Sequence, residues 1–134
     1  MDLLFQGFTV LGKLGAGGLA DVFEGVDSEG NHAALKVLRE PERGAPHLKR
    51  FLREGRLLKR MDHPALPRCL DVVEGERPFI VLECLKGETL AQHFRREGPV
   101  APERALEIAS CLLDVLAYLH GQGVVHRDVK SANI

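Results

Sequence analysis

The spacing of apolar residues changes once along this chain, and the change limits the folds that the chain can adopt. Up to residue 82 most apolar segments are short, as strands are, and residues 33–38 alternate. Between residues 102 and 120 the period is helical, and the apolar stripe consists of Ala105, Leu106, Ala109, Leu112, Leu113, Leu116 and Leu119. The pattern therefore predicts a strand-rich first part and a helical second part.

The first part is predicted to form one small sheet with a single helix. The predicted strands are residues 10–14, 21–26, 33–38, 70–74 and 79–82, and the helix is residues 46–61, after a loop at 41–46. Two more helices are predicted at 89–96 and 102–120. The fold class is α+β, with residues 1–7 as a lead-in or tag remnant, 8–82 as a sheet-rich lobe, 83–87 as a linker and 88–134 as the start of a helical lobe. A cleft between two lobes is a common place for a ligand.

Composition argues against several classes of function. The 134 residues carry a net charge of −1 and no Trp, which gives no sign of nucleic-acid binding or of an anionic membrane surface. No apolar run is long enough to cross a membrane. We therefore expect no membrane contact by this segment and a cytoplasmic location, with a membrane anchor in a later part left open. Three widely spaced cysteines, Cys69, Cys84 and Cys111, are typical of reduced thiols in a cytosolic protein.

The first chemical motif is the glycine-rich segment Gly15-Ala16-Gly17-Gly18, which is followed by Val22. Glycines allow backbone N–H groups to approach phosphate oxygens closely, but a hairpin turn that needs positive φ would explain the same pattern. Strands on both sides of the segment, rather than a strand and a helix, argue against a dinucleotide-binding motif. The motif alone leaves the turn and the phosphate site as alternatives.

The second motif pairs a lysine with a glutamate. Lys36 stands among apolar residues of a predicted strand, where it is either a solvated charge on an edge strand or a phosphate ligand. Glu54 falls within the apolar stripe of the predicted first helix, so its carboxylate needs a cation. That cation is either Arg50, one turn earlier, or Lys36. Gly55, the next residue, should cost this helix about 1 kcal/mol relative to Ala.

Two further segments carry polar groups that could bind a ligand. The predicted strand 79–82 runs into the linker, whose backbone groups could bind a flat heterocycle, although a core strand with its exit loop would look the same. In the last loop, Asp128 could accept a proton from a hydroxyl, Lys130 could neutralise phosphate charge, and Asn133 could bind a hard divalent cation through its oxygen. A charged loop of this kind is otherwise typical of solvated surface.

Taken together and in this order, the motifs resemble the signature set of protein kinases. The glycine-rich loop of that family resembles GAGGLADV at 15–22, and its V-A-I-K strand resembles AALK at 33–36. The family's catalytic loop matches HRDVKSAN at 126–133, and its αC glutamate matches Glu54. Ala20 stands where the family has its third glycine. The segments LGAGGLADVFEG at 14–25 and RFLREGRLLKRMDHPAL at 50–66 are similar to those of bacterial Ser/Thr kinases.

The resemblance implies a protein-kinase-like fold that binds ATP with Mg²⁺ or Mn²⁺. Lys36 would contact the α- and β-phosphates and pair with Glu54. Asp128 would orient and deprotonate the substrate hydroxyl, Lys130 would neutralise the γ-phosphate, and Asn133 would hold a metal ion. The glycine-rich loop would cover the phosphates with Leu14, Gly15, Ala16, Gly17 and Gly18. Val22 and Ala34 would lie on the two sides of the adenine ring. Glu83 and Leu85 would be the hinge residues, and Leu82 would be the gatekeeper.

The implied partners are protein substrates, because Lys130 two residues after Asp128 resembles the Ser/Thr-directed form of the loop. Kinase dimerisation is left open. The chain contains no D-F-G segment and no activation loop, so we expect this fragment to be inactive and, with its apolar stripe uncovered, prone to self-association. Two alternatives remain, a pseudokinase or scaffold module on the same fold and a small-molecule kinase of related fold. The latter tend to carry H-G-D in place of H-R-D.

Overall fold

The structure, a computed structural model, describes residues 4–39 and 45–134. It divides into two compact units, Met1–Leu85 and Lys86–Ile134, and the division falls within the predicted linker. The first unit contains a sheet and one helix, and the second is helical. This order of elements agrees with the change in apolar spacing along the sequence.

The first unit is built on an antiparallel sheet of six strands in the order β1-β2-β3-β4-β6-β5. The strands are β1 Leu4–Phe5, β2 Phe8–Ala16, β3 Ala20–Asp27, β4 His32–Leu38, β5 Cys69–Val73 and β6 Phe79–Glu83. Strand β2 is longer at both ends than the predicted 10–14. Its pairing with β3 shifts register twice, between Val10 and Gly12 and between Lys13 and Gly15. Such bulges interrupt the alternation of side chains, so the sequence period does not reveal the full strand.

Strand β1 lies within residues 1–7, which the sequence pattern assigns to a lead-in. It pairs antiparallel with the start of β2. The Phe5 ring is buried, with its centroid 6.3 Å from that of Phe23 and 5.7 Å from that of Phe79. Two residues are too few to show a period, so nothing in the pattern points to this strand. Leu4 and Phe5 are nevertheless part of the sheet, and Phe5 is part of its core.

Strand β4 is an interior strand, paired with β3 on one edge and with β6 on the other. Its side chains alternate as predicted. Leu35 is completely buried in one apolar cluster with Phe79, whereas Leu38 belongs to the cluster on the other face. The interpretation of Lys36 as a charge on an edge strand is therefore wrong, because β4 has no free edge.

Helix α1, Ala45–Lys59, packs against the sheet through Phe51, which is buried with Leu38 and Ile80. The predicted helix was 46–61; the observed helix begins one residue earlier, at Ala45, and ends two residues earlier, at Lys59. Pro46 consequently lies in the first turn, where proline is tolerated because the first N–H groups have no partner within the helix. Residues 41–44 of the predicted loop lie outside the described residues.

Gly55 of α1 faces the sheet at very close range. A Cβ at this position would come within 3.0 Å of Val72 Cγ2 and of Ile80 Cγ1. Glycine is the poorer helix former, but here it allows the helix backbone to approach β5 and β6. The close contact between helix and sheet explains a residue that helix propensity alone disfavours.

The second unit contains helices α2, Leu90–Glu97, and α3, Pro102–Gly121, and a short 3₁₀ helix, Ser131–Asn133. Thr89 caps α2 in a capping box with Gln92, and Gly98 ends the helix with φ 84°. Helix α3 buries Val115 and Leu119. Leu106 and Leu113 of its predicted stripe are 71% and 68% exposed. Of the helices in the described residues, none is long and apolar enough to span a membrane.

We expect Gly55→Ala to lower the free energy of unfolding of the full-length protein, although Ala favours helix by about 1 kcal/mol. The added Cβ would press on the fully buried Ile80, and overpacking of this kind costs about 1–3 kcal/mol. Chemical denaturation measures the difference. Lys49→Ala, at an exposed position of α1, is the control and should change stability by less than about 0.5 kcal/mol. A Gly55→Ala protein more stable than the wild type would contradict the packing argument.

Candidate functional site

One face of the sheet carries five of the predicted nucleotide-binding positions: Gly15, Val22, Ala34, Lys36 and Leu82. Val22 is paired with Gly15 on β2 and with Lys36 on β4, and directly paired residues share a face. In the next row of the same face, Ala34 is paired with Leu82 of β6. The register of the sheet thus brings the predicted phosphate, adenine and gatekeeper positions together.

Lys36 and Glu54 form an ion pair that joins β4 to α1. Lys36 Nζ donates to Glu54 Oε1 at 2.5 Å. Lys36, and not the neighbouring Arg50, is therefore the cation at Glu54. The Glu54 side chain is 45% exposed, so the burial inferred from the apolar stripe of the helix is wrong. The helix meets the sheet through Phe51 and Gly55, and Glu54 lies at the rim of that contact, where it can reach the lysine.

Two further ion pairs tie α1 to the region of β5. Arg56 Nη2 lies 2.5 Å from Glu74 Oε1, and Lys59 Nζ lies 2.8 Å from Asp71 Oδ1. The bond from Lys59 lowers the pKa of Asp71, and the same bond raises the pKa of Lys59. Exposed pairs of this kind add little stability. Their geometric effect is to limit rotation of the helix about its axis, and with it the direction of Glu54.

The glycine-rich segment turns at residues 17–19, where Gly17 N–H donates to Ala20 C=O at 2.8 Å. Among the described glycines with positive φ, none belongs to this segment. The interpretation as a turn that needs positive φ is therefore wrong. A Cβ on Gly15 or Gly18 would meet nothing within 4 Å. A Cβ on Gly17 would lie 3.2 Å from the Ala20 carbonyl oxygen. At Gly15 and Gly18, neither backbone conformation nor packing in the described part of the chain requires glycine, whereas a phosphate close to the backbone would require it.

The predicted hinge begins later than residue 83, because Glu83 is the last residue of β6. Glu83 N–H donates to Arg68 C=O at 2.8 Å, and Glu83 Oε2 accepts from Arg68 N–H at 3.2 Å. These bonds anchor the end of the strand. Leu85 and Leu14 are 64% and 55% exposed. Both leucines thus remain open to a ligand in the structure.

The loop of the second unit places the two predicted catalytic residues, Asp128 and Lys130, next to the predicted metal ligand Asn133. Lys130 Nζ lies 3.4 Å from Asp128 Oδ1. Asn133 Nδ2 donates to the Asp128 C=O at 2.9 Å and to Asp128 Oδ2 at 3.1 Å. His126 Nδ1 accepts the Asp128 N–H at 3.1 Å, so His126 holds the backbone of the loop in place. Arg127, between them, has φ 65°, a left-handed conformation that costs a non-glycine residue about 1–3 kcal/mol.

The oxygen atoms of this loop suit a hard divalent cation. The Asn133 amide nitrogen is engaged with Asp128, so its Oδ1 is directed elsewhere. An amide oxygen beside a carboxylate is the type of donor that Mg²⁺ binds. Within the described residues, no group of three His, Cys, Asp or Glu side chains could hold a metal ion. A cation at Asn133 would therefore rely on few protein ligands, as Mg²⁺ with bound phosphates usually does.

The profile of the protein kinase domain family matches residues 8–134. The chain belongs to this family. Serine/threonine-protein kinase pkn2 of Myxococcus xanthus is 39% identical over 130 residues, which are 95% of this chain and 16% of the relative. Serine/threonine-protein kinase PkaA of Streptomyces coelicolor is 41% identical over 107 residues, 78% of this chain and 20% of the relative. This kinase chain thus spans 16–20% of the length of these curated relatives.

A solved structure supports the assignment of the fold. The crystal structure of Rad53 1-466 in complex with AMP-PNP matches this kinase chain with a TM-score of 0.84 at 25% sequence identity. The match covers 96% of this chain and 34% of the Rad53 chain. It confirms the predicted α+β fold, in which a small antiparallel sheet with one helix precedes the first helices of a helical part.

No sequence motif points to Arg39, although Arg39 forms hydrogen bonds to the glycine-rich turn. It follows β4 directly and contacts Asp21 at the start of β3 with two nitrogens, at 2.6 and 3.2 Å. Lys13 Nζ lies 3.0 Å from the same carboxylate. The bonds from Arg39, and then those from Lys13, lower the pKa of Asp21 to about 2. A contact between residues 18 positions apart leaves no local pattern in a single sequence.

We expect the Asp21 carboxylate to titrate near pH 2 in the folded protein. A carboxyl group whose pKa is lowered on folding stabilises the fold above its unfolded pKa, near 3.8, and loses this contribution as the pH falls toward 2. NMR titration of the Asp21 side-chain carbon measures the pKa directly. Arg39→Ala should raise it toward 3.8, whereas Arg104→Ala, which removes an exposed pair of α3, should leave it unchanged. An Asp21 pKa near 3.8 in the wild type would show that the contact does not persist in solution.

Proposed function

We propose that the full-length protein is a kinase that transfers the γ-phosphoryl group of ATP to Ser or Thr hydroxyls of other proteins. The observation that carries the proposal is the loop in which Asp128 is held by Asn133 and lies 3.4 Å from Lys130. A base, a cation and a metal-binding amide are the groups that phosphoryl transfer to a hydroxyl needs. The names of the relatives, serine/threonine-protein kinases, support the same class of acceptor.

The first unit supplies groups that suit the nucleotide. Lys36, oriented by Glu54, places an ammonium group on the same sheet face as Gly15 and Val22. We propose that this ammonium group binds the α- and β-phosphates and that the glycine-rich turn covers them. The small Ala34 beside Val22 leaves room for a flat ring on this face, which suits adenine. The AMP-PNP in the similar Rad53 structure supports ATP as the nucleotide.

The second unit supplies groups that suit the hydroxyl substrate. Asp128 is positioned by two bonds from Asn133 and one to His126, so its carboxylate is oriented before a substrate arrives. We propose that Asp128 accepts the hydroxyl proton and that Lys130 neutralises charge on the transferred group. Mg²⁺ or Mn²⁺, when bound, would neutralise phosphate charge. Asn133 Oδ1 is its proposed ligand in this chain.

We also propose a cytoplasmic location for this segment. The proposed substrate ATP and the state of the cysteines support it, since Cys69, Cys84 and Cys111 are all free. Unpaired thiols are usual in the reducing cytoplasm and uncommon in secreted proteins. Fractionation of cells that express the full-length protein tests the location of the chain.

Asp128→Asn should lower the rate of phosphoryl transfer by the full-length protein at least about a hundredfold, because an amide cannot accept the hydroxyl proton. ATP binding should remain close to that of the wild type. Transfer of radiolabelled phosphate to a generic Ser/Thr protein substrate measures the rate. Asp114→Asn, at an exposed position of α3, is the matched control and should be fully active. Unreduced transfer by Asp128→Asn would remove Asp128 from this role, and a wild type that binds ATP without transfer would favour the pseudokinase alternative.

The 134 residues alone should not transfer phosphate. Asn133 is one proposed metal ligand, the kinase family supplies another from a D-F-G segment, and these 134 residues contain no such segment. The same assay, with this chain and the full-length protein at equal concentration, measures the difference. The exposed Leu106 and Leu113 should promote self-association of the isolated chain. Light scattering measures its oligomeric state. Transfer by the chain alone that depends on Asp128 would contradict this expectation.

A further inference from the structure

Arg39 forms hydrogen bonds to both ends of the turn at residues 17–19. The Arg39 backbone N–H donates to Leu19 C=O at 2.9 Å, and Arg39 Nη2 donates to Gly17 C=O at 2.8 Å. Arg39 follows the last residue of β4 and is three positions from Lys36. The strand that carries the proposed phosphate-binding lysine therefore also carries the anchor of the glycine-rich turn.

Asp21 holds the Arg39 side chain in place. Arg39 Nε donates to Asp21 Oδ2 at 3.2 Å, and Nη2 donates to Oδ1 at 2.6 Å. A two-point contact of this type fixes the plane of the guanidinium as well as its position. The Asp21 side chain is only 15% exposed, and Lys13 of β2 also contacts it. Asp21 is paired with Val37 and therefore lies on the face of the sheet opposite Lys36.

The bond to Gly17 C=O determines where the next N–H group points. The described peptide bonds are trans, and a trans peptide holds its C=O and N–H on opposite sides. Because Gly17 C=O points toward Arg39, Gly18 N–H points away from it. In the part of the chain that the structure describes, Gly18 N–H has no hydrogen-bond acceptor. The space beside Gly18 is also open, since a Cβ there would meet nothing within 4 Å.

We propose that Arg39 is a positioning residue for ATP, which holds the glycine-rich turn so that Gly18 N–H is presented to a phosphate oxygen. Arg39 acts through Gly17 and Leu19 and is itself held by Asp21. This role rests on the proposed function. It differs from that of Lys36, because Arg39 places a backbone donor and does not contact the nucleotide itself.

Arg39→Ala in the full-length protein should raise the Kd for ATP with Mg²⁺ about tenfold, the loss expected for a displaced charge-assisted contact. The Kd for adenosine, which has no phosphate, should stay within about twofold. Isothermal titration calorimetry with both ligands measures the two constants. Equal weakening of ATP and adenosine would show that Arg39 serves only the stability of the sheet, and unchanged ATP binding would show that the turn does not need it. Either result overturns the proposal.

A double-mutant cycle tests whether Asp21 acts through Arg39. Asp21→Asn alone should weaken ATP binding in the same direction, and in the Arg39→Ala background it should add little. Additive losses would overturn this coupling. Arg104→Ala, which removes an ion pair of α3, should bind both ligands as the wild type does. A wild type that binds adenosine and ATP equally weakly would contradict the proposed function. A wild type that binds ATP as expected, with an Arg39→Ala variant whose Kd for ATP is unchanged, would contradict only the role of Arg39.

Discussion

Helix α1 lies close to the sheet because Gly55 has no side chain, and the position of Glu54 depends on that contact. Gly55 packs closely against Val72 and Ile80, and the neighbouring carboxylate is thereby brought to Lys36. The ion pairs to Glu74 and Asp71 act on the same helix from its other end. A larger residue at one position of α1 would thus move a charged group that belongs to the proposed chemistry. Packing and electrostatics are coupled here through a single turn of helix.

Strand β4 combines three tasks within a few residues. Leu35 fills the core on one face, Lys36 projects from the other, and Arg39 holds the adjacent turn. Pairing on both edges keeps the strand in register, and hydrogen bonds from Arg39 connect the turn to the strand that carries Lys36. A rigid interior strand is a suitable support for groups that must contact one ligand at a fixed spacing.

Much of the fold was predictable because its signals are local. Alternation over 33–38 and the long apolar stripe of 102–120 correspond to β4 and α3, and the capping residue Thr89 begins α2 where expected. The pairing of Lys36 with Glu54 could be proposed only as one of two alternatives, because a sequence does not contain the distance between a strand and a helix. The apolar stripe predicted a buried Glu54 side chain, and this prediction was wrong for the same reason.

The features that no pattern revealed depend on contacts between distant segments. Arg39 reaches Asp21 across the sheet, and Phe5 meets Phe23 and Phe79 from a strand of two residues. The glycine-rich turn was ambiguous because the same residues serve a tight turn and a phosphate site. The observed φ values decide against the first, since they lie outside the left-handed region. Backbone dihedral angles of this kind cannot be read from residue identity alone.

Phe5 lies outside the segment that the kinase family profile recognises, which starts at Phe8. Its ring nevertheless closes the apolar cluster that includes Leu35 and Val37. A boundary drawn at the start of this profile would therefore remove an aromatic ring from the core of the first unit, on the face of β4 opposite Lys36. The cluster that supports this strand begins with a side chain three residues before the profile does.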